Sequence, residues 1–497
     1  VKQKLWKKIL LGIGLLFLLL LVLVAHPVFH LAKAIWNDRD EITPTPIGKI
    51  NDASRLDETN VANFWKIPTD SAAAEQQLAG LLQFARTNHL KVSIAGARHS
   101  MGGHVIFPGG IAVDMLPFNR MELDATNRIL HVQSGARWSE VIPFLNAQGL
   151  SVEVMQSNDD FSIGGSLSVN CHGWQFNRPP IASTVESFRL MLADGRIMKC
   201  SRTENWELFS LVLGGYGLFG IILDVDLRVV PNETYKIERT VVPAADYVSV
   251  LDQKTAPASD VAMVYGRLNM TAENFLREGI INVFHRLPAT NPVVTSLSEP
   301  GKSELKRALF RGSVGDEYGK QLRWDAEKWL DPFFSGNQAD RNAILYVPAN
   351  WYLDHTQKST DILMECFVPP AQFEPFLEEL RKIVPGNRVD LLNLTVRHMN
   401  RDDDTFLRYA DKDMIALVMF FSQTRDAQGE ENMKTAAQEI IAAALRHAGR
   451  YYLPYRLHAT SEQFAQGYPQ AKTFFELKRK YDPDELFQNE FYLKYGK

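Results

Sequence analysis

At 497 residues, 45% of them hydrophobic, the chain is longer than one core usually fills and carries enough apolar material for two domains. A net charge of -4, with no basic cluster interleaved with aromatics beyond the N-terminus, gives no electrostatic case for nucleic acid. The cysteines Cys171, Cys200 and Cys366 make neither a disulfide framework nor a metal-ligand spacing, so no metal is expected and the redox compartment stays open.

Lys2, Lys4, Lys7 and Lys8 precede an apolar run over residues 9–25. Crossing a bilayer core of ~30 Å takes about 20 apolar residues, so the run just suffices. Residues 1–36 are therefore read as cytoplasmic lysines followed by a single transmembrane anchor, the bilayer being a partner through residues 9–25. The lysines place the catalytic body on the non-cytoplasmic side, periplasmic in a bacterium. A cleaved signal peptide is the rival, since Ala32-Lys33-Ala34 has the small-x-small form, but the apolar run is long for a signal core and ends well before that site. His26 and His30, four apart, read as interfacial histidines. Residues 37–66 turn polar, with Asp38, Asp40, Glu41, Pro44 and Pro46, and read as a linker.

Over residues 67–231 strand and helix patterns alternate. An amphipathic helix (73–88) and a short apolar strand (92–95) lead into Gly96-Ala97-Arg98-His99-Ser100-Met101-Gly102-Gly103, then His104, and a second strand follows at 111–115. Small residues on such a turn let the backbone approach a phosphate, and its amides line up as an anion nest. Ser134-Gly135-Ala136-Arg137-Trp138 reads as strand, turn and helix. Ile163-Gly164-Gly165-Ser166-Leu167-Ser168 runs on to Cys171-His172-Gly173, and residues 212–222 include Gly214-Gly215-Tyr216-Gly217-Leu218-Phe219-Gly220-Ile221-Ile222. Residues 478–489 close the series with Lys-Arg-Lys-Tyr-Asp-Pro-Asp-Glu-Leu-Phe-Gln-Asn, ending in Asn489.

In this order the segments resemble the PCMH-type FAD-binding domain of the vanillyl-alcohol oxidase superfamily. The second loop is similar to the G-G-x-x-x-x-x-T-H-G of sugar-lactone and alditol oxidases, the third to that of cytokinin dehydrogenases. The resemblance implies FAD held by residues 96–104, Gly164, Gly165, Ser168, His172, Gly173, Gly217, Gly220, Ile221, Ile222 and Asn489. It also implies a covalent bond from His99, the histidine of a G-x-x-H-S turn, to the flavin 8α-methyl.

Residues 232–464 change pattern: strand 362–368, helix 371–383, strands 389–399 and 414–421, helix 431–448 and strand 451–455. Such units predict an antiparallel sheet with helices on one face, a separate α+β substrate cap, from which residues 465–497 return to the FAD domain. Residues 301–317 read as a loop and helix excursion of the cap. The expected fold class is thus α+β: a two-subdomain FAD domain, an antiparallel-sheet cap and an N-terminal membrane helix. By strand parity Leu392, Leu394 and Val396 pack under the helices, while Asn393, Thr395 and Arg397 face the other side.

The lactone and alditol oxidases bind substrate hydroxyls with an E-x-R pair on a similar strand; Thr395-Val396-Arg397 keeps the arginine and lacks the acid, which makes Arg397 a candidate catalytic residue. The alternative is a structural pair with Asp402, Asp403 or Asp404. The lysine of the H-W-G-K motif near flavin N1 is missing, and Tyr452-Leu453-Pro454 is closer to the Y-L-P-H-Y of cytokinin dehydrogenases, so Arg456 or His458 is expected to supply the positive group. Asp159 and Asp160 lie near the place of the cytokinin dehydrogenase base but read as surface turn residues.

The family likeness implies hydride transfer from a CH–OH donor to flavin N5, the donor being a sugar, polyol or sugar lactone as in D-arabinono-1,4-lactone oxidase. O2, or a membrane quinone or cytochrome, would then take the electrons. Amine oxidation of the cytokinin dehydrogenase kind, a sterol-type flavin reductase, and a non-catalytic binding protein on the same scaffold are the alternatives.

Overall fold

The computed structural model describes residues 25–39, 41–256, 260–288, 303–330 and 338–497, with Trp6, Leu10, Gly12, Ile13 and Leu297 besides. Most of the anchor expected over residues 9–25 lies outside them. Among the described residues no helix is long and apolar enough to cross a membrane.

The FAD side is built from two sheets. Strands Asn63–Lys66, Ile111–Asp114 and Val92–Ala95 form a small parallel sheet. Helix Ser71–Thr87, capped by Asp70 accepting from Ala73 N, lays Leu78, Leu81, Leu82 and Ala85 against it. The second sheet is antiparallel, in the order Ile197–Ser201, Val185–Met191, Ile221–Pro231, Ile129–Gln133 and Met121–Asp124, with Leu150–Val152 also pairing Ile221–Pro231. Its longest strand alternates Val225, Leu227 and Val229 inward with Asp224, Asp226 and Arg228 outward. That period of two sets one buried face and one ion-paired face, where Asp224 meets Arg189 and Arg228 meets Glu186.

The cap is one eight-stranded antiparallel sheet, ordered Gln338–Asp340, Thr234–Pro243, Glu278–Arg286, Val261–Leu268, Asp390–Met399, Met414–Thr424, Ser359–Val368 and Arg450–Tyr451. The second half follows the sequence reading; the strands contributed by residues 234–286 were not singled out there. Helices Phe373–Gly386 and Ala427–Arg446 cover one face with Phe376, Leu377 and Leu380 and with Met433, Ile440 and Ile441. Each such side chain buried contributes roughly 1.5–3 kcal/mol.

A bulge between Leu391 and Asn393 alters the expected parity of that strand. Leu391, Leu394 and Val396 join the helix-side core, whereas Leu392 is the extra residue and stays out of that cluster. Asn393, Thr395 and Arg397 keep the opposite, free face.

The excursion forms helices Ser303–Arg311 and Glu317–Asp325, which fold over the outer part of this free face. Phe310 packs edge-on against Phe420 at 5.3 Å, Arg311 pairs with Asp361 at 2.9 Å and Arg323 bonds Asn393 Oδ1 at 2.7 Å. Helical residues 25–37 dock on its outer side, with His30 Nε2 2.9 Å from Gly312 O, the His26 ring 4.0 Å from Tyr318, and Asp38 accepting from Arg307 at 2.7 Å. The chain ends on the FAD side, where backbone bonds join Val92 to Leu486 and Gln488.

Candidate active site

Between the two FAD-side sheets runs a cleft. The turn after strand Val92–Ala95 forms one wall through Gly96, Ala97, Arg98, His99, Ser100 and His104. Gly164, Gly165 and Ser168 of the second loop, and Gly217, Gly220 and Ile222 of the third, form the others. Gly96 is required by proximity, since a Cβ there would collide with Ser162 Oγ, which also accepts from Ala97 N. Gly217 is required by its φ of +73°.

Other residues of the expected set hold these walls and do not line them. Met101 N donates to Pro454 O, and Gly103 N donates to Asp52 Oδ2. A Cβ on Gly102 would strike Tyr455 O, so the end of the turn is the seam with the cap. Ile221 belongs to the core under helix Ser71–Thr87, and Gly173 lies against Met155 O. Asn489 Nδ2 donates to both His104 O and Tyr216 O at 2.9 Å, tying the first and third loops together.

His99 stacks on Phe161 at 4.1 Å, and its pKa is pushed down to about 4, by burial above all, with Asp160 opposing. Its imidazole is therefore neutral at pH 7, with a lone pair to share. The His104 pKa is pushed down to about 3 by burial, with the Leu453 backbone opposing. Asp159 and Asp160 are not surface residues of a turn. Asp159 is buried, with its carboxyl pushed up to about 8 by burial and by Asp160, and Asp160 accepts from Ala349 N at 2.6 Å.

Where the second loop meets the cap, His172 turns from the cleft toward the sheet's free face. Its Nε2 lies 2.6 Å from Glu365 Oε1, and its Nδ1 has no partner among the described residues. Burial lowers the His172 pKa, with Glu365 opposing, and leaves the ring a proton acceptor. Arg397 reaches the same spot, donating from Nη1 to His172 O at 3.0 Å and from Nη2 to Ser157 Oγ at 2.9 Å, its Nε unpartnered. The three acids offered as its structural partners are engaged elsewhere: Asp402 with Asn170, Asp403 with Arg401 and Asp404 with Arg202.

Arg456 and His458 do not join this group. Arg456 is spent on Asp57 at 2.6 Å and Glu430 at 2.8 Å, and His458 Nε2 lies 2.9 Å from the same Glu430. Two carboxylates from distant parts of the chain thus pair with them, and neither residue lines the cleft. Glu365 was missed in the sequence, although a lone acid inside an apolar strand is itself a signal, because a buried carboxylate needs a partner.

Residues 71–201 match the family described as FAD binding domain. Those residues thus carry an FAD binding domain, of the kind that the PCMH-type resemblance implies. It is 27% identical over 307 residues to an uncharacterized oxidoreductase of Rhodococcoides fascians, covering 60% of this chain and 63% of the relative. With the L-gulonolactone oxidase of Mus musculus it shares 28% over 153 residues, 31% of this chain and 34% of that one. With the decaprenylphosphoryl-beta-D-ribose oxidase of Mycolicibacterium smegmatis it shares 21% over 425 residues, 80% and 87%. The chain thus spans less than two thirds of the length of the first two.

FAD fits the residues present in this PCMH-type cleft. Among the described residues Ser100 Oγ and Ser134 Oγ are buried on its walls without partners, polar groups a dinucleotide would satisfy. The glycine walls are open where a phosphate needs close backbone approach.

Proposed function

We propose that this protein is an FAD-dependent oxidoreductase that oxidises a CH–OH donor, of the sugar, polyol or sugar-lactone class. The observation that carries the reading is the meeting of Arg397, His172 and Glu365 on the cap's free face, next to the second glycine loop. A bound flavin supplies the two-electron acceptor for the hydride that leaves the donor carbon. Arg397 orients the donor oxygen through the donor edge its protein bonds leave over, with a charge that does not titrate away. The hydroxyl proton goes to the His172–Glu365 pair, where His172 is uncharged before the reaction and Glu365 stabilises the cation it becomes. The names of the mouse and Mycolicibacterium relatives, oxidases of a lactone and of a ribosyl lipid, lean the same way.

His99 carries the flavin covalently in this reading; its neutral imidazole at the first loop supports that. The body is held at a membrane through residues 9–25 on the non-cytoplasmic side. Supporting this, Val28, Phe29, Ile35 and Trp36 are exposed on the helical residues that continue the apolar run. Anaerobic bleaching of the flavin by a panel of alcohols, lactones and amines tests the chemistry, and bleaching by amines alone would overturn the CH–OH assignment. A reporter active only outside the cytoplasm, fused after Lys497, tests the topology and should be active.

A further inference from the structure

On the free face of the cap sheet two arginines converge on one side-chain amide. Arg267 stands on strand Val261–Leu268 opposite Thr395, and its Nη1 donates to Asn393 Oδ1 and to Thr395 Oγ1 at 3.2 Å. Arg323 comes down from the excursion onto the same Asn393 Oδ1. Two guanidiniums thus share one neutral amide oxygen. Arg323 has Glu327 at 3.0 Å, but Arg267 has no carboxylate within ion-pair distance among the described residues, and neither has Arg397. Burial and the nearby Arg267 both lower the Arg323 pKa, with Glu327 opposing. Packing like charges this way costs stability unless an anion completes the set.

We propose that Arg267, with Arg323 behind it, forms a phosphate subsite, so that the donor oxidised beside Arg397, His172 and Glu365 carries a phosphate ester. The inference rests on the reading above for where the chemistry happens. Arginine is suited to the task because its planar fork bonds two phosphate oxygens at once. Sheet register sets the reach. Arg267, Thr395, Val418 and Glu365 stand in one row across four adjacent strands. Three strand spacings of ~4.8 Å separate the ends by roughly 14 Å of backbone, a span that the two side chains and one sugar ring fill. Arg397 lies two residues along from Thr395, between the anion site and the His172–Glu365 pair. The oxidised carbon and the phosphate would therefore sit on opposite sides of the same ring.

The test uses the flavin-loaded full chain and inorganic phosphate, following melting temperature and the visible flavin spectrum as phosphate is titrated. The unmutated protein should bind phosphate, and Arg267→Gln should weaken binding about ten-fold or more, the size of one lost charge-assisted contact. Asn393→Asp guards against a misfolded variant: it places a carboxylate between the two arginines, so it should raise the melting temperature and abolish phosphate binding. Absence of phosphate binding in the unmutated protein, or equal affinity in all three proteins, overturns the subsite. A sugar phosphate in free solution and the same group on a polyprenyl tail in detergent distinguish the two sources of phosphate by which one reduces the flavin. If non-phosphorylated alcohols alone bleach the flavin, the subsite fails and the oxidase reading stands. If phosphate binds through Arg267 and no alcohol bleaches the flavin, the reverse holds.

Discussion

Replacing Arg397 by lysine separates two tasks that the structure gives one side chain. Its Nη1 and Nη2 bonds clip the cap to the second FAD loop at His172 O and Ser157 Oγ. Hydrogen bonds to a charged group contribute roughly 1.5–3 kcal/mol each, and a lysine ammonium keeps at most one of the two, so Arg397→Lys should lose about 1.5–3 kcal/mol of stability. The rate effect should be larger than that clip explains. Losing one donor aimed at the reacting oxygen costs about 10²-fold or more, measured as anaerobic flavin reduction in a stopped-flow instrument well below the melting temperature. Ser157→Ala is the control, since it removes the acceptor of Nη2 but leaves the guanidinium in place. It should lower stability by a similar amount, about 1.5–3 kcal/mol, and leave reduction within a few-fold of normal. If Arg397→Lys reduces its flavin at the unmutated rate, or if Ser157→Ala is equally slow, Arg397 is a clip only and the reasoning fails.

Three further outcomes are expected. His99→Ala should release its flavin on acid denaturation, whereas the unmutated protein should give a fluorescent band on a denaturing gel; free flavin from the unmutated protein would rule out the bond. Gly96→Ala should lose FAD because the new Cβ collides with Ser162 Oγ, and Ser162→Gly added to it should restore part of the binding measured by flavin absorbance. Asp159 keeps its proton in the folded state up to about pH 8, while in the unfolded chain it ionises near 3.8, so stability should fall as pH rises between those values. Asp159→Asn should flatten that fall in thermal melts recorded from pH 4 to 8, and an unchanged slope would assign it to other groups.

The glycine turn was legible because its signal is local: strand, small residues and a histidine in one stretch, which fold where their own geometry requires. Arg397 was legible by parity, which survives the bulge because the extra residue, Leu392, comes before the polar alternation starts. The partners of Arg456 and His458 were not legible, for the opposite reason. What decides their direction is Asp57, 399 residues away from Arg456, and Glu430 on another element. Single-chain patterning carries no information on which distant acid a cation finds. Glu365 and Arg267 lie between these cases, since each is a visible charge in an apolar strand but its significance depends on sheet order.

That sheet order also bears on why the chemistry would sit where it does. The FAD walls come from loops that Asn489 and the Asp52–Gly103 bond tie together. Glu365 and Arg397 come from cap strands separated by one strand, so their spacing is fixed by backbone pairing and not by a flexible loop. His172 comes from the other side, and Arg397 binds its carbonyl directly. That bond across the seam holds the base and the orienting arginine at a fixed spacing. Donor specificity, by contrast, can vary through Arg267, Asn393 and the excursion without disturbing that contact, which puts substrate choice and hydride chemistry on separable parts of the same sheet.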